Sequence, residues 1–174
     1  MSQQTPKPAT VLRASEIAAA SQTVSHPWNP LSEISGTRMA FQAGLERTGV
    51  SRARVNPGKE SFAYHSHLRE EEWLFFLSGR AILRIAGEEV EVGAGDFVAF
   101  PTPSVPHQLR NPFDEPVEYL MGGENLSFEV ADFPDLGRRL LRFADRLEVY
   151  DLGDAKAFEV PVPRPSSQSE GGNS

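Results

Sequence analysis

A run of short apolar segments, each closed by turn-forming residues, fills the middle of this chain and limits what it can fold into. Residues 73–77 end at Ser78-Gly79, and 81–85 lead into the turn Ala86-Gly87-Glu88. Val90 to Val92 resumes the pattern, and Gly93-Ala94-Gly95-Asp96 turns again before residues 97–100. Leu109 then precedes the turn-rich stretch 111–116, and residues 117–121 complete the series. Strand-length runs at near-regular spacing predict an all-β sandwich or barrel. Two segments read as helical. Residues 13–20 suit a short helix with Ser15 as cap. Residues 135–146 carry Leu136, Leu140, Leu141 and Phe143 at amphipathic spacing, which predicts a short C-terminal helix.

Length and composition narrow the reading. A chain of 174 residues is one domain with tails. The core is expected over 11–160. Residues 1–10 and the Pro/Ser/Gly-rich stretch 161–174 read as disordered. The absence of cysteine excludes disulfides, thiolate zinc sites, iron–sulfur clusters and cysteine nucleophiles. A net charge of −7 argues against nonspecific binding to nucleic acid or anionic membranes. No run of 18 apolar residues offers a membrane span, and residues 1–10 lack the apolar stretch of a secretory signal. A cytoplasmic location is the resulting expectation.

Three of the four histidines fall inside the β region: His65, His67 and His107. On a strand His65 and His67 point to one face, about 7 Å apart. Alone, such a pair is ordinarily an exposed or hydrogen-bonded polar pair. A carboxylate from Glu72 (or, failing that, Glu71) and the imidazole of His107 turn it into a set suited to one divalent cation such as Zn, Mn, Fe or Ni. Glu72 shares strand parity with Leu74 and Phe76, whereas Glu71 faces the other way with Trp73 and Phe75. Glu70 and Glu71 otherwise read as a solvated turn.

In order, Gly58, His65, His67, Glu72 and Gly79 resemble the first motif of the cupin family, and Gly95, Pro101, His107 and Asn111 resemble its second. The resemblance spans about residues 56–125. The second motif departs from the pattern at Pro103, where the family has glycine, and in one extra residue before His107, which a β-bulge would absorb. The resemblance implies a double-stranded β-helix, or jelly-roll barrel, its core at about 50–125, with an N-terminal extension and the C-terminal helix. It implies one divalent metal held by His65, His67, Glu72 and His107.

Metallocupins include sugar-phosphate isomerases, epimerases, lyases, decarboxylases, dioxygenases and pure binding proteins, and the fold does not choose among them. The expected function is therefore a metal-dependent isomerase, epimerase or lyase acting on a small oxygen-rich molecule. The alternatives are an Fe(II)-dependent dioxygenase and a non-catalytic ligand-binding cupin. For moving a proton the sequence offers His26, Tyr64 and Glu124. Arg38, Gln42, Arg54, Lys59 and Tyr119 are further pocket candidates. The stiff segment His26-Pro27-Trp28-Asn29-Pro30 either offers a base or covers apolar surface through Trp28. The apolar face of Trp73, Phe75 and Leu77 suits a homodimer, or is covered by the 135–146 segment.

Overall fold

The computed structural model describes residues 8–158. The expected tails lie largely outside these; residues 8–10 have no regular structure. The described chain is a jelly-roll β-sandwich of antiparallel sheets. Its large sheet holds six strands in the order β1 (Gln22–Val24), β2 (Ile34–Thr37), β3 (Thr48–Val55), β10 (Val117–Glu124), β5 (Glu72–Ser78) and β8 (Phe97–Phe100). A three-stranded sheet is ordered β7 (Glu88–Gly93), β6 (Arg80–Ile85), β9 (His107–Arg110). A four-stranded sheet is ordered β13 (Arg146–Asp151), β12 (Arg138–Phe143), β11 (Phe128–Phe133), β4 (Ser66–His67). The expected N-terminal extension is thus part of the sandwich, contributing β1 and β2 to the large sheet.

Period-two patterning explains which faces meet. Phe76, Tyr119 and Ala53 are register partners across β5, β10 and β3, and Val117, Val55 and Ile34 across β10, β3 and β2. All are buried. They face Ala81, Leu83, Val92 and Leu109 of the three-stranded sheet in one apolar cluster. At 1% exposure Phe76 alone contributes roughly 1.5–3 kcal/mol by leaving water. A smaller cluster of Ala63, Ala131 and Phe133, flanked by Trp28 and Leu140, joins the four-stranded sheet to the loop before β4. The β6–β7 turn, expected over Ala86-Gly87-Glu88, is a two-residue hairpin at Ala86-Gly87, with φ of 50° and 90°, and Glu88 already belongs to β7.

Several expectations are corrected. Residues 135–146 are not a helix. Pro134–Leu136 is a single 3-10 turn, and β12 pairs with β11 on one side and β13 on the other. Gly137 sits in the left-handed region (φ 60°), which ends any helix before it begins. Arg139 instead makes a cross-strand pair with Asp132 at 2.7 Å. This segment therefore belongs to the four-stranded sheet. The outer face of β5 leaves Phe75 and Leu77 exposed, with Phe75 opposite the exposed Phe97 of β8.

The N-terminal helix is α1 (Ala14–Ala19), one residue shorter at each end than read. Its N-cap position is Arg13 rather than Ser15, and Glu16 Oε2 accepts the Arg13 N–H at 2.6 Å. Glu70 is not solvated: it is buried, accepts the Leu126 N–H at 2.6 Å and pairs with Arg142. The extra residue before His107 is absorbed in the 101–106 loop. The one register shift in the large sheet lies elsewhere, at Glu118/Tyr119.

Candidate metal centre

His65 and His107 are fixed to each other through the backbone. The His107 N–H donates to the His65 carbonyl at 2.8 Å and the His65 N–H to the His107 carbonyl at 3.2 Å. His67 lies on β4 and is tied to the 101–106 loop: its N–H donates to Ser104 Oγ, and the Ser104 N–H donates to its carbonyl, both at 2.8 Å. The loop carrying the extra residue therefore sets the position of a histidine from the other motif. Glu72 begins β5 and, by strand parity, projects to the same inner face as Leu74 and Phe76. Each of the four side chains offers a donor atom within 4.8 Å of the others. Glu72 is the carboxylate in this group; Glu71 is exposed and takes no part in it.

The hydrogen bonds decide which nitrogens face inward. His65 Nδ1 lies 2.7 Å from the Ala63 carbonyl and His107 Nδ1 lies 3.1 Å from the Val105 carbonyl. A carbonyl only accepts, so both Nδ1 atoms carry protons and both Nε2 atoms keep their lone pairs for the centre. His107 Nε2 is 3.0 Å and His67 Nε2 3.6 Å from Glu72 Oε2. Two electron-pair donors 3.0 Å apart repel each other unless a proton or a cation sits between them. Bonds of about 2.1 Å to a shared cation place neighbouring donors roughly 3.0–3.4 Å apart. Three imidazoles and one carboxylate in this arrangement fit a single divalent metal.

Burial sharpens the electrostatics. The His65 imidazole is pushed down to about 3, first by desolvation and then by His107 and His67, with Glu72 opposing. It is neutral at pH 7, as a ligand must be. Desolvation alone would raise the Glu72 pKa, but the surrounding imidazoles, His107 first, outweigh it, so the net shift is downward and the carboxylate is ionised. Aromatic rings fix the imidazole planes: Phe100 stacks on His107 with centroids 3.7 Å apart, and Phe133 on His65 at 5.8 Å.

A fifth residue, absent from the sequence reading, completes the arrangement. Glu129 on β11 is 2% exposed, and its Oε1 lies 3.7 Å from His67 Nδ1. The same oxygen accepts the Leu68 N–H at 2.9 Å and the Arg69 N–H at 3.2 Å. Neither His67 Nδ1 nor Glu129 Oε2 has a hydrogen-bond partner of its own. The signal available in sequence is a glutamate in phase with Ala131 and Phe133 on one strand face, which are buried with it.

The three proton-transfer candidates separate. Tyr64 is buried with its ring under the Arg84 guanidinium (3.8 Å), away from the donor group. His26 packs against Trp28, Phe62 and Phe133, and burial lowers its pKa. It covers apolar surface as Trp28 does. Glu124 lies on the rim of an opening of about 150 Å³ that His67 and Glu72 also line, and its Oε2 accepts the Glu71 N–H at 3.2 Å. Tyr119 lines a smaller cavity of about 20 Å³ with His65, Glu72 and His107. Burial, then the Glu72 charge, raises its pKa and keeps the phenol protonated. Arg54 and Lys59 are engaged elsewhere, with Asn56 and Glu33 respectively.

Residues 51–123 match the family model of the cupin domain. No curated protein matches the chain. Among solved structures, a candidate sugar phosphate isomerase from Acidithiobacillus ferrooxidans is similar, with a TM-score of 0.82 and 30% identity over 86% of this chain and 97% of that one. A sugar phosphate isomerase of the cupin superfamily from Silicibacter pomeroyi has a TM-score of 0.74 and 22% identity over the same 86% and 97%. A predicted oxalate decarboxylase from Thermotoga maritima, at 0.57 and 22%, covers 67% of this chain and is itself covered fully. The cupin-domain match contains all four donors, and the likeness to the first structure extends from there over nearly its whole length. The chain belongs to the cupin superfamily.

Proposed function

We propose that the protein is a metal-dependent enzyme acting on a small oxygen-rich molecule by isomerase, epimerase or lyase chemistry. The observation that carries this reading is the convergence of His65, His67, Glu72 and His107 on the inner face of a sandwich, beside an opening of about 150 Å³ that His67 and Glu72 line. The 30% identity to a candidate sugar phosphate isomerase supports the reaction class. A Zn, Mn, Fe or Ni ion held by these four residues supplies Lewis-acid polarisation of a ligand oxygen.

The remaining roles fall to the chain itself. Phe100 and Phe133 stack on the histidine rings and keep water from them. Tyr119 brings a protonated phenol to the inner cavity. Glu124 is the one proton-transfer candidate on the rim shared with His67 and Glu72, so the mobile proton is assigned to its carboxylate.

Elemental analysis of protein purified without chelator tests the metal, with close to one transition metal per chain expected. His65→Ala and His67→Ala are expected to lose most of it, and equal content in all three proteins would discard the assignment. Turnover of sugar phosphates and keto acids under argon then tests the reaction. Glu124→Gln should keep the metal and lose roughly 10²–10⁴-fold in kcat. A requirement for oxygen would replace the proposal by a dioxygenase. Binding without turnover across the panel would replace it by a carrier.

A further inference from the structure

Beside the candidate metal centre lies a separate chamber of about 340 Å³ on the inner face of the large sheet, within the usual range for small-molecule sites. It adjoins the donor group across shared walls. Phe62 and Met121 border both this chamber and the inner cavity of His65, Glu72 and His107, and Ser51 and Met121 border both it and the opening at His67. The register explains this adjacency. Leu74, Met121 and Ser51 are partners across β5, β10 and β3, two residues along from Glu72 and Gly123. Gly36 of β2, also a wall, pairs with Ala53 one step further across.

The chemistry of the walls is uneven. Val24, Ile34, Phe41, Phe62 and Met121 make most of the surface apolar. Arg38 stands at the N-cap of α2 (Met39–Gln42), with its guanidinium 4.9 Å from the Phe41 ring centroid. No carboxylate among the described residues pairs with it, whereas Arg52, the other arginine of the chamber, is neutralised by Glu118 at 2.6 Å. Gln42 adds an amide beside it. An unpaired guanidinium above an apolar chamber is suited to an oxyanion on an apolar-faced body.

We propose that this chamber binds the body of a small anionic ligand, with its phosphoryl or carboxylate group on Arg38 and its other end towards the histidines. Three strand spacings separate β5 from β2, on the order of 14 Å, so the ligand is elongated. A fully hydroxylated body would leave polar groups against Phe41, Phe62 and Ile34, which selects ligands that present an apolar face. The proposal rests on the metal reading only for the orientation of the ligand, not for the chamber itself.

The test uses 8-anilinonaphthalene-1-sulfonate, an apolar body with one anionic group, and its uncharged analogue N-phenyl-1-naphthylamine. Binding is followed by fluorescence in the full chain, both metal-loaded and EDTA-stripped. Saturable binding near one per chain is expected. Arg38→Ala should weaken the sulfonate at least tenfold and leave the uncharged probe unchanged, while Val24→Trp, which fills the chamber from its exposed strand, should weaken both. Arg38 and Val24 are both exposed, so neither change touches the core. Displacement by 1-naphthyl phosphate assigns a phosphoryl group, and displacement by 1-hydroxy-2-naphthoate a carboxylate. No saturable binding to the wild type, or equal sulfonate binding by wild type and Arg38→Ala, overturns the proposal. Metal content is measured in parallel: loss of metal from the wild type sinks the enzyme reading, while Arg38-dependent binding in stripped protein leaves the chamber standing.

Discussion

Glu129 and His67 illustrate how single side chains set this centre. A metal-ligating histidine ordinarily hands its other ring nitrogen to a carboxylate or carbonyl, which fixes its tautomer and raises its basicity. Here a buried glutamate lies 3.7 Å from that nitrogen, itself steadied by the Leu68 and Arg69 amides, and is placed to serve as that partner. Glu129→Gln preserves the shape and an oxygen for those amides but removes the charge. It should weaken metal binding by roughly 10–100-fold, measured by chelator competition, with little change in the urea midpoint. Unchanged affinity would reduce Glu129 to an anchor for the 68–69 turn. The four ligand candidates were legible because their spacing is a pattern. Glu129 was not, because a lone glutamate on a strand carries no pattern, and its distance to His67 exists only once β11 lies beside β4.

At the scale of elements, the two motif glycines Gly79 and Gly95 look alike in sequence and differ in structure. Both have positive φ, 74° and 94°. A Cβ on Gly79 would also meet the Pro116 carbonyl oxygen at 2.3 Å, whereas one on Gly95 meets nothing within 4 Å. Gly95→Ala should cost about 1–2 kcal/mol from backbone strain alone. Gly79→Ala adds a clash with backbone that cannot give, for a total of about 2–4 kcal/mol. Urea midpoints of the two variants check the ranking, and equal losses would show that the Pro116 contact relaxes freely. The same scale explains the misread C-terminal helix. Over 135–146 the apolar spacing fits a helix, but β12 has a strand waiting on each side, and six register pairs with each outweigh a weak local preference.

For the molecule as a whole, pH couples the centre to folding. In the metal-free protein burial depresses His65 to about 3 and also lowers His26. An unfolded chain protonates both near 6.5, so below that pH it binds more protons than the folded chain. Stability should therefore be fully present above about pH 6.5 and fall as pH drops towards 3, read as the urea midpoint of chelated protein. His65→Gln should flatten much of that slope; an unaltered slope would place the titration elsewhere. In metal-loaded protein the same protons compete with the cation, which steepens the acid limb. The all-β character, most of its turns and a candidate donor set of three histidines with Glu72 or Glu71 were legible in sequence alone, because period-two alternation, turn chemistry and motif spacing are local signals, and the cupin resemblance narrowed the fold to a jelly roll. Tertiary structure alone decided that β1 and β2 extend the large sheet, that Glu70 is buried against Arg142, that Glu129 backs His67, and that Arg38 overhangs an apolar chamber. Each of these depends on which strands become neighbours, a contact between residues distant in the chain that no local pattern encodes.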